Sequence, residues 1–330
     1  MPYLMCKAPG FNFLTAPPSI VTFALWSPRT SQRACPKEFA MLAKSAKLSL
    51  ALLLGAGVCA AQRSEAVAKA NQPDAAQINC AGFYTDSKVG NDAALVSGED
   101  SLNKLSFGNG DYVYINRGMN QGVREGDIYS VVRPDGDPNK VSWFKWQSKL
   151  AKAMGESYRD LGQLKVVKVQ PKTAIAQVVF ACGPMQRGDI VYPYQTRPAG
   201  PFKDPGKFDH FAPVSGKPVA MVVTAKDWAQ SVGQRDTIYV NLGTTQGVKV
   251  GDYFRIFKYQ GTRAETAPTV KGYQYKIYGF GSAPQAYEWN DLPREILGEG
   301  IVLNVSKNSS TVLITYAKSE VYAGDYVEVE

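Results

Sequence analysis

A chain of 330 residues with 45% hydrophobic content has room for two ordinary domains with separate cores, which argues against a largely disordered polymer. Its net charge of +8 would suggest nucleic acid as a partner, but Lys7, Arg29, Arg33, Lys37, Lys44 and Lys47 against Glu38 place +5 of it before residue 62. The rest carries only about +3, too little to neutralise many phosphates, so no nucleic-acid partner is expected.

Residues 1–40 show scattered prolines and charges without a periodic pattern, and are expected to be a non-native or disordered extension. From Met41 the chain reads MLAKSAK, then LSLALLLGAGV, then CAAQ: a basic start, an apolar run and a small-residue exit. The 41–61 segment therefore reads as a signal peptide, with translation starting at Met41. The apolar run Leu48 to Val58 is eleven residues, short of the roughly 20 that a spanning helix needs. Cleavage after Ala60 or Ala61 is expected, which sends a mature chain without a transmembrane span to the periplasm or outer membrane. Val58 stands where a lipoprotein box places a small residue before its cysteine, which disfavours lipidation of Cys59. Cys80 and Cys182 then remain, either bridged, as an oxidising compartment allows, or as two buried free thiols. Residues 62–79 form a polar N-terminal segment, helical or disordered.

The strongest feature beyond this point is self-similarity. DYVYINRGMNQGVREGDIYSVVR at 111–133 recurs as DTIYVNLGTTQGVKVGDYFRIFK at 236–258, offset by 125 without a gap and identical at nine of 23 positions. A second block, Leu161 to Val191, recurs as Leu297 to Val327 at an offset of 136. The unit of duplication is thus a whole module, 80–194 and 219–330, with a proline-rich, semi-rigid connector at 195–218. Tyr112, Tyr114 and Asn116 alternate with Val113 and Ile115, a period of two that means strand. Leu164–Val169 and Thr173–Phe180 pair as a hairpin about Gln170-Pro171-Lys172. The fold class expected is all-β with short helices: two tandem small SH3-like β-barrel modules of five or six short strands each.

The repeated loops, with Asn116, Gly118, Gly122, Gly126 and Asp127 in one copy and Asn241, Gly243, Gly247, Gly251 and Asp252 in the other, read as structural. Glycine supplies positive φ there, and aspartate bonds nearby backbone groups in the turn. Asp189 and Asp325 follow glycines in the same way. Arg187-Gly188-Asp189 matches an adhesion tripeptide, but the second copy has Ala323 in place of the arginine and the turn explains the rest. The single histidine, His210, lies in the connector, which removes most metal sites and any Ser-His or Cys-His pair serving both modules. Ser215-Gly216-Lys217-Pro218 lacks the first glycine of a phosphate loop. No catalytic, metal or cofactor site is expected; carboxylate catalysis is the remaining enzymatic alternative.

Binding candidates lie in the insertions between the two blocks of each module. In the first, Trp143 and Trp146 precede a stretch, Ser148 to Met154, that forms an amphipathic helix with Trp143, Trp146, Leu150 and Met154 on one face. That face either caps the open end of its barrel or stands free as an aromatic platform. The second insertion places Tyr273, Tyr275, Tyr278, Phe280, Tyr287 and Trp289 in the equivalent position.

The element Asn-x-Gly-x-x-Gln-Gly-Val-x-x-Gly-Asp, at 116–127 and 241–252, resembles the C-terminal domain of the flagellar assembly protein T family. The resemblance covers about half the mature chain and implies small periplasmic β-barrels and, more remotely, a flagellar role. The chain departs from that family in its two copies, its N-terminal region and its long aromatic inserts. The function expected is that of an exported, non-enzymatic envelope protein that binds other envelope proteins through its loops. The alternative is recognition of peptidoglycan or surface polysaccharide. Oligomeric state is open.

Overall fold

The computed structural model describes residues 72–136, 142–201, 203, 208–259 and 293–330. The proposed leader at 41–61, the preceding 1–40 and the second insertion, with Tyr275, Tyr287 and Trp289, lie outside the described residues.

The first described element is the short helix α1 (Ala75–Asn79), capped by Asp74, whose carboxylate accepts the Gln77 N–H while the Gln77 side-chain oxygen accepts the Asp74 N–H. Seven strands follow: β1 (Phe83–Thr85), β2 (Leu95–Gly98), β3 (Tyr112–Ile115), β4 (Ile128–Pro134), β5 (Glu156–Val169), β6 (Ala174–Ala181) and β7 (Ile190–Pro193). A second helix, α2 (Gln147–Met154), stands between β4 and β5. These strands form one sheet in the order β2-β3-β6-β5-β4-β7, with β1 added beside β5. The end strands meet at a single bridge, Ala94 to Ile190.

The second half supplies β8 (Val219–Ala225), β9 (Ser231–Val232), β10 (Thr237–Val240), β11 (Tyr253–Lys258), β12 (Glu295–Val305), β13 (Ser310–Ala317), β14 (Val321–Tyr322) and β15 (Tyr326–Val329). Six of them close into a barrel, β10-β13-β12-β11-β15-β8, while β9 and β14 pair separately. Position by position this is the order of the first sheet: β2, β3, β4, β5, β6 and β7 correspond to β8, β10, β11, β12, β13 and β15. Of the two barrels expected from sequence, then, the second closes fully and the first is a seven-stranded sheet whose ends touch at one bridge.

Inward alternation builds each core. Val113, Ile115, Val131, Leu164, Val166 and Val178 fill the first, and Val222, Ile238, Val240, Phe254, Ile256 and Val312 the second. The repeated loops fold alike. Met119–Gln121 and Thr244–Gln246 are single 3-10 turns, each followed by a glycine in the left-handed region, Gly122 at φ 82° and Gly247 at φ 84°.

The connector is more than a spacer, for it packs along the outer wall of the barrel. Tyr253 donates its hydroxyl to Pro201 O, the His210 ring contacts Ile296 O at 2.7 Å, and Ala212 is buried with Phe257 and Ile296. After β8 the chain makes the single 3-10 turn Lys226–Trp228 before β9.

Candidate functional site

Every residue of the repeated motif has a structural task. Asn116 and Asn241 accept the Ala94 and Met221 N–H groups at 2.7 and 2.8 Å, tying β2 to β3 and β8 to β10. Gln121 and Gln246 accept the Gly118 and Gly243 N–H groups, both at 2.9 Å. Asp127, Asp252, Asp189 and Asp325 each accept the N–H three residues earlier, from Arg124, Lys249, Gln186 and Tyr322. Asp111 and Asp236, which open the first block, make the same turn with Gly108 and Gly233, a role the sequence reading missed. Arg187 donates to Ser101 O.

Two of these aspartates diverge in their surroundings. Asp189 is buried and held by Arg133 through two bonds, of 2.7 and 2.9 Å. In the second copy the corresponding cation, Lys258, pairs with Glu295 at 3.2 Å. Burial then dominates at Asp325 and pushes its pKa from 3.8 to about 6, against the Tyr322 N–H and Lys258, which pull it down. Because the folded chain holds this proton more tightly than the unfolded chain, the stabilisation is complete below pH 3.8 and lost as pH rises through about 6. Asp325→Asn keeps an acceptor for Tyr322 and should be more stable than the parent at pH 7 by about 2 kcal/mol. Urea melts at pH 4 and pH 7 check this: the advantage must shrink at the lower pH.

The richest polar arrangement lies between the sheets. Asp160 of β5 is buried and accepts two bonds from Arg197, at 2.7 and 2.8 Å, and one from the Gly82 N–H at 2.9 Å. Arg197 also donates to Ile78 O. On the barrel side, Tyr239 donates to Ala81 O at 2.7 Å and Thr311 to Gly82 O at 3.2 Å. Gly82 has φ +69°, and a Cβ there would stand 2.5 Å from the Tyr239 hydroxyl, so only glycine fits. Burial raises the Tyr239 pKa well above the usual value and keeps the phenol a donor. Ile78 and Ala81 pack on Ile301, Leu303 and Leu313 of the barrel. Cys80, in the same segment, is bonded to Cys182, with Cα atoms 5.4 Å apart.

The helix α2 departs from its expected stripe. Phe144, Gln147 and Met154 are buried, whereas Trp146 is 56% exposed and Trp143 half-buried. Met154, with Leu150 and Ala151, packs against Tyr84, Val223 and Tyr239, and Gln147 donates to Val223 O at 2.8 Å. Rather than capping its own sheet, the helix lies on the outer wall of the other one. Trp146 at the N-cap turns outward, with the Lys145 ammonium 5.0 Å from its ring.

Beneath the connector, Glu328 is fully buried, which by itself raises its pKa, but bonds from Arg294 and the Ser215 N–H hold it below the ordinary value. Lys203 joins Glu299 and Glu330, and burial together with Glu330 outweighs Lys203 in raising the pKa of Glu299. Lys203 ties the connector to the barrel through its two ion pairs, and Arg294, paired with Glu328, donates to the connector carbonyls of Ala212 and Pro213. A cavity of about 320 Å³ lies beside α1, lined by Gln77, Cys80, Lys226, Asp227, Arg235 and Asp236. The backbone bordering it is strained, with Asp227, Trp228 and Arg235 at φ 56°, 59° and 74°. Its lining mixes the cations Lys226 and Arg235 with Asp227 and Asp236, and the Cys80 sulfur is tied up in the disulfide.

Among the described residues no three His, Cys, Asp or Glu side chains are grouped to hold a metal, and no helix is long and apolar enough to cross a membrane. No protein-family model and no curated protein matches the chain.

Proposed function

We propose that this chain is an exported, non-enzymatic protein of the bacterial cell envelope, built from two tandem SH3-like modules and binding other envelope proteins through its loops. The observation that carries the reading is how the polar residues are used. The acids of the repeated motif serve turns, those at the interface hold two sheets together, and Trp146 of the first insertion stays exposed for contact. The disulfide fits an oxidising compartment such as the periplasm. The corresponding strand orders and the repeated Asn-Gly-Gln-Gly-Asp loop support the duplicated module. The flagellar resemblance supports fold and compartment, and a flagellar role rests on it alone. The decisive experiment is recovery of partners from the native envelope fraction with the tagged full chain, identified by mass spectrometry; recovery of no envelope protein would sink the reading.

Trp146 favours a second reading, recognition of cell-wall or surface polysaccharide, because an exposed indole beside a cation is a stacking surface for sugar rings. On that reading, retention on purified peptidoglycan or envelope polysaccharide should fall at least about tenfold on Trp146→Ala. Trp146 is the cleaner probe, since Trp143 is half-buried and Trp146 exposed.

A further inference from the structure

We infer that the outward face of α2, with the turn that enters it, binds an anionic polysaccharide, whose sugar rings stack on Trp146 and whose acid groups pair with Lys145, Lys149 and Lys152. This rests on the polysaccharide reading above and gives it a ligand class. The acid can be a uronate carboxylate or a phosphodiester, since both set a negative charge beside a sugar ring.

Charge is concentrated at this face. Ser142 to Gly155 contains those three lysines and no acid, so the segment carries as much net positive charge as the whole chain from residue 62 onwards. Glu156, the next acid, already belongs to β5 and lies opposite Thr85 of β1. All three lysines are exposed, and among the described residues none of them is in an ion pair, whereas Lys104, Lys203 and Lys258 each meet a carboxylate. Stability does not explain the arrangement. Lys149 and Lys152 are one helical turn apart, where like charges repel, and Lys149 sits in the first turn, beside the positive end of the helix, with no acid to offset it. A cationic stripe that the helix itself does not need suits a ligand of opposite charge.

The other face of α2 decides between anionic partners. Leu150, Ala151 and Met154 are pressed against Tyr84, Val223 and Tyr239, so the helix keeps no apolar stripe to lower into an anionic membrane, as an interfacial helix must. A single-stranded nucleic acid would also stack on an indole, but three lysines neutralise few phosphates. An acidic glycan matches both features at once, because its rings have apolar faces and its acid groups recur along the chain. The platform is also held firmly. Phe144 is buried beneath the entering turn and Gln147 is bonded to Val223 O, so Lys145 and Trp146 are presented from a fixed base and little ordering is left for binding to bring about.

Isothermal titration of the full chain with polygalacturonate and with phosphomannan tests this and distinguishes the two acid groups. Binding to at least one is expected, and fully methyl-esterified polygalacturonan, which keeps the rings and loses the charge, should bind at least about tenfold more weakly than the acidic polymers. That comparison uses the parent chain alone and so does not depend on any variant folding. The triple change Lys145→Gln, Lys149→Gln and Lys152→Gln, and separately Trp146→Ala, should each weaken binding of the acidic polymer at least about tenfold. All four side chains are exposed, so both variants should melt with the parent by circular dichroism. No binding to either acidic polymer, binding unchanged in either variant, or equal binding of the ester, polyglutamate, anionic lipid vesicles or single-stranded DNA overturns the inference. Equal binding of the ester together with loss on Trp146→Ala would overturn it while leaving the polysaccharide reading standing.

Discussion

Replacing Asp160 with alanine should destabilise the chain by about 3–5 kcal/mol, the range expected when one partner is removed from a buried ion pair. The carboxylate is 5% exposed and accepts from Arg197 and from the Gly82 N–H, so its loss leaves a guanidinium and an amide without their acceptor. The effect should reach beyond the pair. Gly82 O and Ala81 O receive the hydroxyls of Thr311 and Tyr239, so a shift of this segment loosens the seam between the sheets. Asp160→Asn, which keeps an acceptor for Gly82, should cost less than alanine. The double change Asp160→Leu with Arg197→Met should recover part of the loss, because it removes both charges from the low-dielectric site. Urea unfolding of the four proteins provides the test. A cost below about 1 kcal/mol for Asp160→Ala would mean that apolar contact alone holds the seam.

The second large effect concerns Cys80 and Cys182. Their bond closes a loop spanning 102 residues, and loss of a bond over so long a loop costs about 2–5 kcal/mol in the chain-entropy picture. Cys80→Ala with Cys182→Ala should show this loss in urea, and the parent treated with a reductant should match it. Agreement between reduced parent and double variant separates the cross-link from the packing of the sulfur atoms. If the double variant unfolds at the parent's midpoint, the bond adds nothing to stability.

Much of the sheet architecture was legible because the two similar pairs of sequence blocks supply two readings of several strands. Alternation about Val113 and Ile115, the hairpin of β5 with β6, and the strand starts after Gly126, Gly188, Gly251 and Gly324 are local patterns, and the structure has them. The face of α2 was misread, since apolar periodicity cannot say which of several neighbouring aromatics will meet a surface formed 76 residues later. Phe144 and Gln147 are buried beside Met154, whereas Trp146, expected on the same face as Met154, is exposed. The Asp160–Arg197 pair was invisible for a related reason: its members are 37 residues apart and neither has a local signature. The closing of the second sheet and not the first turns on pairings at β2 and β7 that shorten to one bridge, a difference no residue pattern announces.

The order of synthesis gives the seam a further meaning. Gly82 is made early, yet its hydroxyl donor Thr311 comes 229 residues later, and Ile78 must likewise await Ile301 and Leu313. Pairings so distant along the polymer slow folding, because the intervening length must be gathered before they are rewarded. The Ile78–Gly82 segment is thus made early and satisfied last. A product truncated before β12 would carry an exposed, sticky ribbon with nothing to lie on, marking it for degradation or aggregation.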